Sequence, residues 1–350
     1  MHRSTPRRRS LLVASLLAML ATAPACASDA GMRRAAAVPA ATSRVLVWAD
    51  EFETIDAASW SFETGGHGWG NQELQYYTDG GNAFIQCDTL AGSRVLVIEA
   101  RRGAPAGASC WYGACQYSSS RMVTRGRQEF RHGRIEARMR LPQTQGVWPA
   151  FWMLGGNFAT VGWPLSGEID IMEHVGSEPT LTHGALHGPG YSGGTTPFTG
   201  THDLGRRVDL DYHVYAVEWD DHGFRWFVDD VQFHAVTRAQ VEAHGAWVFD
   251  QPFFLLLNVA VGGSWPGSPD SGSQFPQRLY VDWVRVHQDV VLHRRTGSQP
   301  LAPGNGTPAA AQAATPAAAA SPEARVHRAA QPVPVRRTPA PAQRLREAQR

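Results

Sequence analysis

The run Gly167-Glu168-Ile169-Asp170-Ile171-Met172-Glu173-His174-Val175-Gly176 limits what this chain can fold into more than any other stretch. It sets three carboxylates within six residues of an otherwise apolar segment, where ionised groups are expensive. In a β-strand successive side chains point to opposite faces, so Glu168 and Asp170 face one way while Ile169 and Ile171 face a core. Strict alternation would then bury Glu173. A β-bulge at Ile171-Met172 adds one residue, returns Glu173 to the side of Glu168, and makes a row of three carboxylates. Carboxyls this close do not all ionise freely, so one is held protonated while another stays charged. Such a pair, about 5–5.5 Å apart, is what glycoside cleavage with retention requires. The competing readings are an edge strand of solvated acids and a metal cluster. Ile169, Ile171 and Val175 speak against the first, and the lack of an ordered set of His partners in the sequence speaks against the second.

The rest of the chain supplies a setting for that strand. From Val45-Leu46-Val47-Trp48 to about Val286, short β-rich runs alternate with Gly, Pro, Asn and Asp, without a sustained helical period. Arg94 to Ala100, Gly133 to Leu141, Val214 to Trp219, Phe224 to Val228, Phe253 to Val261 and Leu279 to Val286 read as strands of an all-β sandwich. Asp229-Asp230 reads as a hairpin turn. All 12 Trp fall between Trp48 and Trp283. Residues 1–34 carry a charge of +5 and residues 294–350 carry +7, which leaves −11 on residues 35–293. An acidic, Trp-rich body repels nucleic acid and anionic polysaccharides and suits a neutral ligand.

The flanks read differently. Residues 1–27 have the form of a signal peptide: Arg3, Arg7, Arg8 and Arg9, then an apolar run from Leu11 to Ala21, then small residues around Ala25-Cys26-Ala27. The apolar run is too short for a transmembrane helix. Anchoring through a lipid on Cys26 is the alternative to release. Residues 28–43 and 294–350 are Ala-, Pro- and Arg-rich and are expected to be disordered, which leaves 44–293 as the folded domain.

Glu168-x-Asp170-x-x-Glu173, preceded by Gly146-Val147-Trp148-Pro149-Ala150-Phe151-Trp152-Met153-Leu154, resembles the signature of glycoside hydrolase family 16. The likeness is to its bacterial laminarinase-type endo-β-1,3-glucanases and runs from about Val45 to Asp289. Further matching segments are Gly68 to Tyr77, His132 to Arg138, Tyr212 to Trp219 and Tyr280 to Val286. The resemblance implies a β-jelly roll of two curved antiparallel sheets with a concave substrate cleft. It makes Glu168 the nucleophile, Glu173 the general acid/base and Asp170 the group between them. Trp148, Trp152, Asn71, Arg121, His187 and Trp265 take sugar-contacting positions. Calcium is common in similar proteins, and Glu51 and Asp282 occupy the matching motifs, either as ligands of a structural ion or as ordinary surface acids, with no cofactor needed for catalysis. Cys110 and Cys115 bracket a short aromatic loop and are expected to close it by a disulfide, although Cys87 offers either of them another partner.

The resulting expectation is a monomeric, secreted or periplasmic, retaining endo-β-1,3-glucanase acting on laminarin-like polymers. A mixed-linkage β-1,3-1,4-glucanase is the rival within the enzyme class. A non-catalytic β-glucan-binding protein is the rival outside it, and such a protein would need neither Glu168 nor Glu173.

Overall fold

Alternating polarity builds this molecule strand by strand, and the result is a pair of stacked sheets. The computed structural model describes residues 42–291. The N-terminal segment read as a signal peptide, with Cys26, and the Arg-rich tail lie outside the described residues. The described part belongs to one compact unit.

The larger sheet has ten strands. Its main path runs Val231–Thr237, Gly223–Val228, His213–Asp220, Gly133–Arg140, Gln277–Val291, Ser93–Arg102, Tyr117–Ser119 and Gln75–Tyr77. Thr42–Asp50 pairs with Gln277–Val291, and Ala83–Asp88 with Ser93–Arg102. The smaller sheet has eight strands and contains the acidic run. Its path is Gly200–Asp203, Leu181–His187, Glu168–Glu173, Val147–Gly155, Phe253–Val261, Arg121–Val123 and Ser61–Glu63, with Glu129–Phe130 also on Phe253–Val261. Pairing is antiparallel except between Gln75–Tyr77 and Tyr117–Ser119. This is the β-jelly roll the sequence implies. None of the described helices is long and apolar enough to cross a membrane.

The central strands of both sheets bury a face between them. Phe151, Met153, Leu255, Leu257 and Val259 meet Ile135, Met139, Val217, Val284 and Val286 in the central core. Fully burying an aliphatic or aromatic side chain of this size contributes about 1.5–3 kcal/mol, so the core holds the smaller sheet firmly against the larger one. Val147–Gly155 and Phe253–Val261 pair residue for residue over nine positions. Pro149 therefore interrupts no register, and Trp148 and Trp152 emerge on the same, outer face. Asp229 and Asp230 both have positive φ, 48° and 63°, in the two-residue turn between Gly223–Val228 and Val231–Thr237. That conformation matches the right-handed twist of the two strands it joins.

Candidate active site

The acidic strand Glu168–Glu173 is entered through Gly167 at φ 77°, where a Cβ would lie 2.8 Å from Val248 and 3.0 Å from Phe253. Only glycine fits that left-handed, crowded corner. The bulge falls where the sequence predicts it. Trp152 stands opposite Asp170 and Phe151 opposite Met172, so Ile171 has no partner. On the other flank Ala185 faces Asp170 and His183 faces Glu173. Ile171 and Met172 are both buried in the core, and the three acids stand on the opposite face.

A side chain from the other sheet pins this irregular backbone. The Trp226 indole Nε1–H crosses the core and donates to the Asp170 carbonyl at 2.8 Å. It reaches that point because Gly184, opposite the bulge on Leu181–His187, has no side chain. A Cβ there would lie 2.4 Å from Trp226 Cδ1.

Burial, and then the neighbouring charge of Asp170, push the Glu168 carboxyl up to about 8. Burial raises Asp170 as well, and burial followed by the charge of Asp170 raises Glu173. Two interacting carboxyls so placed hold one proton between them near neutral pH, and when Asp170 takes it Glu168 is the free carboxylate. His187 Nε2 comes within 3.2 Å of Asp170 Oδ2 and 3.8 Å of Glu168 Oε1. The Gly193 backbone N–H donates to His187 Nδ1 at 3.1 Å, so in the neutral ring Nε2 carries the hydrogen and faces the acids.

Aromatic rings and amides line the cleft. Trp148 Nε1 donates to Glu173 Oε1 at 3.0 Å, which fixes the acid beside a flat apolar surface. Trp265 meets Trp148 edge-on at 5.4 Å and His183 at 5.1 Å. Trp152 Nε1 donates to Asn258 Oδ1 at 2.7 Å. The Arg121 guanidinium lies between Trp152, 4.7 Å away, and Trp69, 4.8 Å away, and its Nε pairs with Glu63 Oε2 at 2.7 Å. Asn71 Nδ2 donates to Glu73 Oε1 at 3.2 Å, and the Asn71 carbonyl accepts from the Ser264 N–H at 2.8 Å. The structure thus gathers Trp148, Trp152, Asn71, Arg121, His187 and Trp265 around the acidic strand. Arg121 is largely committed to propping two indoles and to Glu63, so it shapes the cleft more than it reaches into it.

One expectation needs correction. The acids do have a histidine partner, because folding brings His187 alongside Glu168 and Asp170, their donor atoms lying within 4.8 Å of one another. A cation there would have to displace the proton that the carboxyls share. Glu51 and Asp282, the candidate calcium ligands, both have arginine partners. Glu51 is gripped by Arg285 through two bonds of 2.8 and 3.0 Å, and Asp282 accepts from Arg138 at 2.5 Å and from Ser93. Carboxylates already neutralised by arginine offer a cation little. Cys110 and Cys115 form a disulfide, and Cys87 is free and exposed.

Sequence reasoning missed His183, Glu73, Asn258 and Trp163. His183 and His187 share a strand at an even separation, a signal that both lie on the acidic strand's outer side. Glu73 sits buried under Asn71 and takes hydrogen bonds from Gln75 at 2.6 Å and Tyr77 at 3.5 Å. Trp163, half exposed, lies 6.3 Å from His187.

A jelly roll whose concave sheet carries paired carboxyls on an aromatic floor defines a glycoside hydrolase. Residues 69–285 match the model of glycosyl hydrolases family 16, and the chain belongs to that family. A beta-glucanase of Rhodothermus marinus is 43% identical over 257 residues, spanning 69% of this chain and 85% of that protein. The laminarinase catalytic domain from Thermotoga maritima MSB8 superposes with a TM-score of 0.65 at 45% identity, covering 71% of this chain and 99% of that one. The endo-beta-1,3-glucanase from Pyrococcus furiosus does so with a TM-score of 0.65 at 44% identity, covering 71% and 95%.

Proposed function

We propose that this hydrolase is an exported, retaining endo-β-1,3-glucanase whose substrate is a neutral, laminarin-like β-glucan. The observation that carries the reading is the bulged strand, which sets Glu168, Asp170 and Glu173 on one face with Trp148 bonded to Glu173. Glu173, kept protonated by burial, gives its proton to the leaving oxygen as Glu168 attacks the anomeric carbon. Asp170 holds the shared proton and so leaves Glu168 charged at the moment of attack. Glu173, now a carboxylate, takes a proton from water, and that water releases the sugar from Glu168. Side chains supply both nucleophile and proton, so the cycle calls for no cofactor. The acidic, Trp-rich body supports an uncharged polymer, and the Arg-led N-terminal segment supports export. The joint presence of Glu168 and Glu173 weighs against a non-catalytic glucan binder. Proton NMR of the first product from laminarin tests the mechanism: the β-anomer is expected, and α-product at the earliest times would remove Glu168 as nucleophile. Reducing-sugar release is expected to be higher on laminarin than on lichenan, and the reverse order would make this a mixed-linkage enzyme.

A further inference from the structure

The chemistry above leaves one prominent ring without a role. Trp111 is the most exposed tryptophan among the described residues, at 51%. It is nonetheless held in place. Its indole Nε1–H donates to the Glu73 carbonyl and its backbone N–H to the Gly66 carbonyl, each at 2.8 Å. Tyr112 packs edge-on against it at 5.5 Å and anchors its own hydroxyl on the Leu74 carbonyl at 2.6 Å. The Cys110–Cys115 disulfide closes the small hairpin, Ser109–Cys110 against Gly113–Ala114, that carries both rings. Beneath the indole lies Gly68 at φ 84°, where a Cβ would be 3.0 Å from Trp111 Cδ1. An indole whose polar atom is satisfied and whose backbone is tied has already given up its freedom, so a ligand can stack on it at little entropic cost.

Two chains of contact lead from the acids to this ring. One runs from Asp170 to Trp152 across the sheet, through Arg121 to Trp69, and on to Gly68. The other runs from Glu173 through Trp148 and Trp265 to Ser264, then to Asn71 and Glu73. Both end on the loop that Trp111 grips. The first path crosses from Glu168–Glu173 over Val147–Gly155 and Phe253–Val261 to Arg121–Val123, strands spaced about 4.8 Å apart, so the hairpin lies well beyond contact with the acids.

We propose that Trp111 is an outlying sugar platform, on which the apolar face of a distant glucose unit of the same β-glucan chain stacks. The proposal rests on the β-glucan reading and deepens it: long chains reach the hairpin, and short oligomers end before it. The experiment compares wild type with Trp111→Ala and Trp111→Phe on laminarin and on β-1,3-linked glucose oligomers of increasing length. In Trp111→Ala the ratio of kcat/KM on laminarin to that on the shortest cleaved oligomer is expected to fall about tenfold, mainly through KM. Trp111→Phe, which keeps a ring, is expected to retain most of that ratio. An equal loss at every chain length would make Trp111 a structural prop and overturn the proposal, as would no loss at any length. If wild type cleaves no β-1,3-glucan, the parent reading falls and the platform with it. If wild type cleaves normally and Trp111→Ala matches it, the platform alone falls.

Discussion

In the proposed mechanism Glu173 must begin each cycle protonated and Glu168 must begin it ionised. That division predicts different chemistry from two similar substitutions. Glu173→Ala is expected to lose acid assistance but to keep cleaving substrates with good leaving groups, and added azide should then trap a β-glycosyl azide. Glu168→Ala has no nucleophile, so any azide product should be the α-anomer; product NMR distinguishes the two, and swapped outcomes would exchange the assignments. The raised carboxyls also cost stability in a pH window with a definite sign. A carboxyl whose folded pKa lies above its unfolded one binds more protons in the native state, so its contribution is complete below about 4.5 and is lost as pH rises towards 8. His174, buried and lowered to about 4, acts oppositely, adding stability as pH rises from about 4 to 6.5. Glu168→Gln removes the share of the first effect that Glu168 carries and leaves the second. Its melting temperature is expected to exceed that of wild type by several degrees at pH 8 and to converge with it near pH 4. A parallel pair of curves would show that burial does not shift this carboxyl.

At the scale of the element, the bulge and its anchor decide where the acids stand. Trp226→Phe keeps the ring in the core but removes the donor to the Asp170 carbonyl, and an unsatisfied buried acceptor costs about 1–3 kcal/mol. The expected result is a folded protein with lowered melting temperature and with kcat reduced more than KM is changed, measured on laminarin. Deleting Met172 leaves Glu-Ile-Asp-Ile-Glu, in which alternation alone keeps three acids on one face. Hydrolysis is expected to survive, reduced on the order of 10²-fold because cleft groups shift relative to the acids. Inserting a residue beside Met172 instead turns Glu173 into the core, and equal activity in both variants would refute the alternating strand. This part of the site was legible because a break in period two is a local signal that one strand carries by itself. Asp229-Asp230 was legible for the same reason. The contact of His187 with Asp170 was not, since it depends on the register of a neighbouring strand. Nor was the Trp226 anchor, which comes from the opposite sheet and exists only because Gly184 leaves room. Nor were the arginine partners of Glu51 and Asp282, which strand register brings to them.

At the scale of the whole molecule, the closing pair of strands matters most. Thr42–Asp50 runs antiparallel to Gln277–Val291, with Thr42 opposite Val291 and Arg44 opposite Asp289. A chain trimmed to residues 42–291 is expected to fold and keep its specific activity on soluble glucan, checked by melting and reducing-sugar assay. Trimming to 43–288 removes the partners of Ser43 and Arg44 and should lower the melting temperature while leaving the cleft intact. The same pairing has a mechanical consequence. Because the domain's first and last described residues lie side by side at one end of one ladder, tension applied between them loads its hydrogen bonds one at a time. Pulled this way the domain unzips from its margin at low force, whereas tension applied along the strands would have to shear many bonds together.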